Sequence, residues 1–291
     1  MLTVFTPTYN RGYIIDNLYK SLQRQTCKNF EWLVIDDGST DDTSSLFASW
    51  QEEQGFCVRY IRQENGGKHR AINRGAKEAR GELFFIVDSD DYLADNAVER
   101  IIEHYDDIKA KDDFAGVCGL KCYPDGERVG GDCNFGVLDC NSLELRYKYK
   151  VVGDMAEILC TDILRQYPFP EIEGELFCPE AVLFNRIAQK YKLRYFYENV
   201  YVCDYLSDGL TAKITRIRMQ SPVSAMICYS ELAHCKIPLV QKIKATINYW
   251  RFSFCSHTSF FDRIRTIGIC WLLLLPIGYV FHLIDKSRCK L

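Results

Sequence analysis

The 291-residue chain lacks the features that mark several common classes of protein. It has no low-complexity tract and no internal repeat, which excludes disordered polar chains and repeat architectures. Its fourteen cysteines are scattered singly, with no CxxC pair. The first ten residues, MLTVFTPTYN, contain neither a basic start nor an apolar run of signal-peptide length. These absences predict a folded cytoplasmic protein with reduced, mostly buried cysteines.

The composition is that of a chain with a substantial core. Hydrophobic residues make up 47% of the chain and aromatic residues 13%, and the length suffices for a large α/β domain with additions. The charge is uneven, because residues 239–291 hold eight Lys or Arg and two Asp, a net of +6. Because the net charge of the whole chain is −3, residues 1–238 have a net charge of −9. Such an acidic body disfavours nucleic acid as a partner.

The basic tail also contains the longest uncharged segment. Residues 267–284 read IGICWLLLLPIGYVFHLI, with basic residues on both flanks. A helix of this length spans roughly 27 Å, slightly less than a hydrocarbon core of about 30 Å. Because Pro276 would kink the helix and both flanks are basic, we predict a C-terminal helical extension, 213–291, that binds the inner face of the plasma membrane peripherally or monotopically. The alternatives are a true membrane span and a buried core helix.

Strand and helix patterns alternate along the first hundred residues, which is typical of a mainly parallel sheet. Short apolar runs predict strands at residues 2–6, 31–35, 58–61 and 83–87. Between them, apolar residues recur at helical spacing. We predict that Asn10 caps the first helix and that Ser39 and Asp42 form a capping box for the second. A third helix is predicted over residues 68–79.

Three polar clusters follow these strands: TPTYNR at 6–11, DDGSTDD at 36–42 and DSDD at 88–91. Ligands of open α/β sheets bind outside the carboxyl ends of the strands, so we expect the clusters to meet at one site. The crowded carboxylates of the third cluster raise one another's pKa unless a cation lies among them. Their hard oxygen atoms suit Mg²⁺ or Mn²⁺. Alternatively, Asp90 and Asp91 cap a helix that starts near Ala94.

In order and spacing, four motifs resemble those of family 2 glycosyltransferases with a GT-A fold: FTPTYNR, LVIDDGSTDDT, NGGKHRAINRG and VDSDD. The resemblance implies a Rossmann-like, mainly parallel sheet flanked by helices. Its nucleotide-sugar half would be 1–110 and its acceptor half 111–212. The chain contains no QxxRW signature of the processive members, which favours addition of single sugars. The expected class is thus a non-processive enzyme of bacterial polysaccharide synthesis.

The resemblance also implies roles for the clustered residues. Pro7, Thr8 and Tyr9 would line the nucleobase pocket, and Asp37 would accept the imide hydrogen of the base. Asp88 would approach the ribose or sugar, in a DXD motif whose metal ligand is Asp90 or Asp91. The further residues that we assign to donor binding are Arg11, Asn65, Gly67, Lys68, Asn73 and Ser89. Since Ile72 stands where many members have an arginine, Lys68 is the candidate cation, with Arg11 and Arg70 nearby.

An inverting transfer needs a base that takes the proton of the acceptor hydroxyl. By its register in EIEGELFCPEAVLFNRIA, Glu180 matches the catalytic acidic position of the family, although the usual Glu-Asp pair is missing. Glu173 and Glu175 are the fallback candidates, and a favourable first-turn charge is the alternative role of Glu180. The loop YVCDYLSDGLTAK, at 201–213, resembles one that closes the site in some members. Its donor or acceptor contacts would be Asp204, Asp208 and Lys213.

The predicted function is therefore metal-dependent, inverting transfer of one sugar from a nucleotide diphosphate sugar to a growing, lipid-linked cell-surface glycan. The resemblance favours uridine as the base and a polyprenyl-linked acceptor at the membrane. A sugar nucleotidyltransferase would need a Gly-rich phosphate loop after the first strand, and TPTYNR contains none. A dinucleotide oxidoreductase would need GxGxxG there. A non-catalytic glycan-binding protein of the same fold remains an alternative, and it would tolerate loss of Asp90.

Overall fold

A computed structural model describes residues 1–53, 55–133, 135–203 and 213–289. They form two compact units, the first within residues 1–168 and 190–203, the second within residues 169–189 and 213–289. One sheet runs through both predicted halves, 1–110 and 111–212, of the same domain.

Among the described residues, the first unit contains a sheet of nine strands. These are β1 (Leu2–Thr8), β2 (Phe30–Asp36), β3 (Cys57–Arg62), β4 (Leu83–Ile86), β5 (Tyr92–Leu93), β6 (Phe114–Cys122), β7 (Val137–Cys140), β8 (Met155–Cys160) and β9 (Lys192–Val202). The spatial order is β3-β2-β1-β4-β8-β6-β9-β5, and β7 also pairs with β9. The first four strands are mutually parallel, as predicted. Of the other pairs, β6–β9 is parallel and the rest are antiparallel.

Helices pack on this sheet and bury the apolar residues of its strands. They are α1 (Asp16–Arg24), α2 (Thr43–Trp50), α3 (Lys68–Glu78), α4 (Ala97–Asp106), α5 (Ser142–Tyr147) and α6 (Thr161–Gln166). Strands β1 and β2 are buried along their whole length, which explains why their apolar residues do not alternate with polar ones. All fourteen cysteines are free, and only Cys57 and Cys270 are exposed.

Both predicted helix caps are wrong. Helix α1 begins well after Asn10, whose φ is 52° and whose Oδ1 accepts a hydrogen bond from the Thr40 N–H at 2.7 Å. Helix α2 follows Asp42, which makes no side-chain cap. The Ser39 hydroxyl donates instead to Asp36 Oδ1 at 2.5 Å. These side chains shape the loops at the strand ends, where hydrogen bonds within and between the loops replace the predicted caps.

The second unit is helical. Its elements are α7 (Ala181–Ile187), α8 (Ile214–Gln220), α9 (Pro222–His234), α10 (Leu239–Ser253), α11 (Phe260–Ile267), a 3₁₀ helix (Ile269–Leu274) and α12 (Leu275–Cys289). Helix α10 packs against both α9 and α12. Pro276 lies in the first turn of α12, where a missing N–H is tolerated, so the predicted kink is replaced by a change from 3₁₀ to α-helix.

The apolar segment is long and apolar enough to cross a membrane, by length and composition only. This segment, Ile269–Cys289, has 21 residues, and its most apolar 18-residue window has a mean hydropathy of 1.5 and is only 11% buried. The alternative of a buried core helix is therefore wrong.

Candidate active site

Three loops meet at the carboxyl ends of β1, β2 and β4. Asp37, directly after β2, donates its backbone N–H to the Thr8 carbonyl at the end of β1, at 2.8 Å. Arg11, in the loop after β1, approaches Asp90 after β4, with 3.6 Å between Nη2 and Oδ2. The parallel order of these strands brings together the three polar clusters, as predicted from the sequence.

The Asp37 carboxylate is buried and faces the loop that leads into α3. Its Oδ1 accepts hydrogen bonds from the Gly66 N–H at 2.9 Å and from the Gln63 amide at 2.8 Å. Its Oδ2 accepts from the Gly67 N–H at 2.7 Å, and Gly67 has φ 93°, a conformation that favours glycine. Asp37 thus fixes the loop that presents Lys68. A hydrogen bond to a nucleobase would have to share one of these occupied oxygens.

Lys68, the first residue of α3, forms an ion pair with Asp88, with 2.6 Å between Nζ and Oδ1. Burial by itself would raise the pKa of Asp88. The charges of Lys68, Lys121 and Arg11 outweigh burial and hold this pKa below its usual value. Cationic groups from three separate elements therefore keep Asp88 ionised.

Asp90 and Asp91 lie in different surroundings. The Asp91 carboxylate is buried, and its Oδ2 accepts a hydrogen bond from the Tyr201 hydroxyl at 2.5 Å. Burial and the neighbouring Asp88 raise the pKa of Asp91 to about 7. Burial and Asp88 also raise the pKa of Asp90, whose side chain is 22% exposed and pairs with Arg11. Asp90 is thus accessible to a ligand, whereas Asp91 is directed into the protein.

Neither aspartate caps a helix. Helix α4 begins at Ala97, after Asn96, rather than near Ala94. The alternative that Asp90 and Asp91 serve only as helix caps is therefore wrong, and their crowding needs another explanation.

Two further residues at this site escaped prediction. Tyr201, on β9, is buried, and its hydroxyl oxygen also accepts a hydrogen bond from the Asp88 N–H at 3.0 Å. The Lys121 ammonium, on β6, lies 4.0 Å from the centroid of the Tyr201 ring. The local sequence around these two residues carries no signal of this contact, because the pairing of β6 with β9 joins segments far apart in the chain.

The remaining predicted donor residues surround the same strand ends. The Thr8 hydroxyl is buried and has no hydrogen-bond partner among the described residues, and Tyr9 is 49% exposed. Pro7, Ser89 and Asn73 are buried, and Asn65 is exposed on the loop before α3. The guanidinium of Arg70 donates to the Gly66 carbonyl at 2.7 Å.

The carboxylates of Asp90 and Asp91 suit a metal ion that is also bound by a ligand better than a metal ion held by the protein alone. Within the described ranges, no group of three or more His, Cys, Asp or Glu side chains is arranged to hold a metal ion. Nevertheless, burial and the charge of Asp88 raise the pKa values of Asp90 and Asp91, and a divalent cation beside them would favour their ionised forms. Accessible carboxylate oxygens are suitable ligands for Mg²⁺ or Mn²⁺.

The predicted acidic residues of the acceptor half lie in the second unit. Glu180 occupies the N-cap position of α7, half-buried, and its side chain makes no cap hydrogen bond. Glu175 is buried, and its two oxygens accept hydrogen bonds from the Val223 and Ser224 N–H groups at 2.7 and 2.8 Å. Glu175 therefore caps α9, which leaves it poorly suited as a base. Glu173 is exposed.

The predicted closing loop is only partly described. Asp204 and Asp208 lie outside the described residues, and Lys213 directly precedes α8.

The first part of the chain is similar to known glycosyltransferases. The glycosyl transferase family 2 model matches residues 3–126. Glycosyltransferase GlyG of Streptococcus pneumoniae is 34% identical over 113 residues, 38% of this chain and 36% of the relative. A GalNAc(5)-diNAcBac-PP-undecaprenol beta-1,3-glucosyltransferase of Campylobacter jejuni is 32% identical over 123 residues, 40% of this chain and 37% of the relative. The chain thus spans little more than a third of the length of these curated relatives.

Solved structures share the fold over nearly the whole chain. Staphylococcus aureus TarS 1-349 in complex with UDP-GlcNAc has a TM-score of 0.66 at 16% identity, covering 99% of this chain and 92% of that one. The mannosyltransferase PcManGT from Pyrobaculum calidifontis, in complex with GDP-Man and Mn²⁺, has a TM-score of 0.57 at 17% identity, covering 98% and 87%. The chain therefore has a GT-A-like α/β fold.

Proposed function

We propose that the protein transfers one sugar, with inversion, from a nucleotide diphosphate sugar to a glycan hydroxyl. The premise is the match of residues 3–126 to glycosyl transferase family 2. The observation that carries the proposal is the meeting of the β1, β2 and β4 loops. At these strand ends lie the Lys68–Asp88 ion pair, the partly exposed Asp90 carboxylate and the buried Thr8 hydroxyl, which has no hydrogen-bond partner among the described residues. The TarS complex with UDP-GlcNAc supports UDP as the nucleotide.

Asp90 rather than Asp91 is the proposed metal ligand, because the Tyr201 hydroxyl engages Asp91 inside the protein. A bound Mn²⁺ or Mg²⁺ would neutralise charge on the leaving diphosphate. Lys68 and Arg11 place fixed positive charge at the same strand ends and would stabilise that charge further. Thr8 and Tyr9 would bind the nucleoside, and the exposed face of Tyr9 is available for stacking.

Glu180 is the proposed general base, which would take the proton from the acceptor hydroxyl. Glu180 lies at the start of α7 and is half-buried, in the register that the family resemblance predicts. The name of the Campylobacter relative, which includes a polyprenyl diphosphate, supports a lipid-linked glycan as the acceptor. We place the protein accordingly at the cytoplasmic face of the membrane.

Calorimetric titration of UDP into the purified protein, with and without Mn²⁺, tests the metal and donor assignments. We expect binding that needs Mn²⁺ and that falls by about tenfold or more in Asp90→Ala, since a metal ligand is lost. The matched control, Asp112→Ala, removes an exposed carboxylate before β6 and should bind as wild type does. Equal binding by both variants would overturn the assignment of Asp90.

A transfer assay distinguishes an enzyme from a binding protein of the same fold. The wild type should release UDP from a UDP-sugar when a polyprenyl-linked glycan is present. Binding of UDP without any such release, across a panel of acceptors, would favour the non-catalytic alternative.

A further inference from the structure

The polarity of α12 is inverted relative to that of a helix on a soluble protein. Its buried positions are Gly278 and Asp285, which face α10. Its exposed side chains are mostly apolar, and they include Ile277, Val280 and Phe281, each more than 40% exposed. A helix that packs on a soluble core normally buries its apolar side chains and exposes its polar ones. The arrangement of α12 instead suits an apolar environment on its outer side.

The exposed apolar surface continues into the preceding elements. We call it the apolar face, and it comprises Phe260, Phe261, Ile269, Leu273, Ile277, Val280, Phe281 and Ile284. Leu273 is 85% exposed and Phe261 is 83% exposed. Exposure of so many large apolar side chains within residues 260–284 marks an interaction surface.

Three contacts hold the segment against α10. A Cβ atom on Gly278 would lie 2.4 Å from Trp250 Cβ, so the two helices touch closely. The Trp250 indole N–H donates to the Trp271 carbonyl at 3.0 Å. Near the C-terminal end, the Arg251 guanidinium donates two hydrogen bonds to the buried Asp285 carboxylate, one of them at 2.8 Å. A transmembrane orientation would break these contacts and leave charged partners unpaired.

Charge indicates what covers the apolar face. Arg265 precedes the uncharged residues 267–284, Lys286 and Arg288 follow them, and all three basic residues are exposed. Basic residues at both ends of an apolar segment keep both ends on the cytoplasmic side, where anionic lipid headgroups attract them. A second copy of the chain, docked through the same face, would instead bring these like charges together.

We infer that the apolar face lies in the plane of an anionic membrane surface, with α12 and the 3₁₀ helix inserted shallowly and still bound to α10. This inference rests on the proposed location at the cytoplasmic face of the membrane. It adds to that proposal the surface, the orientation and the lipid chemistry. It also favours the predicted monotopic contact over the alternative of a membrane span.

Flotation of the full-length protein with phosphatidylglycerol-containing vesicles tests the inference, with pure phosphatidylcholine vesicles as the reference. The wild type should float with the anionic vesicles and lose binding as salt is added. The double variant Leu273→Ser/Val280→Ser should reduce the bound fraction by about tenfold or more. The matched double variant Val137→Ser/Val152→Ser removes comparably exposed valines from the first unit and should float as wild type does.

Three outcomes would overturn the inference. One is a wild-type protein that does not float, and another is equal flotation of the two double variants. The third is bound protein that resists extraction with alkaline carbonate, which would indicate a membrane span. If the wild type fails to float and the Leu273→Ser/Val280→Ser variant alone loses self-association in light scattering, the face is covered by a second copy. UDP binding by both variants should stay unchanged, so failure of the membrane inference is distinguishable from failure of the proposed donor site.

Discussion

At the scale of single residues, the Tyr201 hydroxyl links the two aspartates that flank the accessible Asp90. It accepts from the Asp88 N–H and donates to the Asp91 carboxylate. This tyrosine therefore positions the turn that carries Asp90, without needing to touch a ligand itself. Such an effect is invisible in the sequence, because nothing near Tyr201 in the chain identifies its partners. The carboxylates themselves were predictable, since they directly follow a buried strand.

Replacement of Tyr201 tests this positioning role. Tyr201→Phe keeps the ring beside Lys121 and removes only the hydroxyl. We expect Mn²⁺-dependent UDP binding to weaken by about tenfold, because a hydrogen bond to a carboxylate contributes roughly 1.5–3 kcal/mol. Calorimetric dissociation constants give the measurement.

The matched control is Tyr195→Phe, on the same strand. The Tyr195 hydroxyl is buried and has no hydrogen-bond partner in the part of the chain that the structure describes. This variant should bind UDP as wild type does. Equal weakening in both variants would show that Tyr201 acts through general stability alone.

Glu180→Gln tests the proposed base. We expect sugar transfer to fall by a factor of about 10²–10⁴, the usual contribution of a general base, while the UDP dissociation constant stays unchanged. Initial rates with a polyprenyl-linked acceptor and calorimetry on the same preparation separate the two effects. Glu173→Gln, at the exposed fallback candidate of the same segment, should retain transfer if Glu180 is the base. Full transfer activity in Glu180→Gln would contradict the assignment.

At the scale of secondary-structure elements, the buried apolar runs predicted β1 to β4 and their parallel pairing correctly. The capping predictions failed because Asn10 pairs with Thr40 in the neighbouring loop, and because Ser39 bonds back to Asp36 rather than forward to a helix. The partners of β5 to β9 were beyond prediction for the same reason, since register between distant strands has no local signal.

Helix α3 approaches β1 so closely that Gly75 is needed there. A Cβ atom at Gly75 would lie 2.1 Å from Phe5 Cε2, and the buried Phe5 ring is stacked on Phe84 at 4.8 Å. Gly75→Ala should therefore lower the free energy of unfolding. Overpacking costs about 1–3 kcal/mol, and the gain of about 1 kcal/mol in helix propensity offsets only part of it.

Urea denaturation monitored by circular dichroism gives the comparison. The control Gly136→Ala adds a methyl group where no atom lies within 4 Å and should leave stability nearly unchanged. A Gly75→Ala variant as stable as the wild type would show that α3 moves away from the sheet at little cost.

At the scale of the whole molecule, the strand order explains why motifs far apart in sequence form one candidate site. Parallel strands direct their carboxyl ends to one edge, so the convergence of three polar loops was predictable. The grouping of residues 169–189 with the C-terminal helices was not predictable, because it depends on contacts such as the Glu175 cap on α9. The inverted polarity of α12 was not predictable either, because the sequence does not show which side of α12 packs on α10.

The most direct test of the central claim is a thermal-shift screen of nucleotide diphosphate sugars with and without Mn²⁺. Binding to the native state alone raises the melting temperature by mass action. We predict that a UDP-sugar stabilises the protein when Mn²⁺ is present, and that the effect disappears with chelator and in Asp90→Ala. A flat response to every donor, with or without metal, would contradict the account.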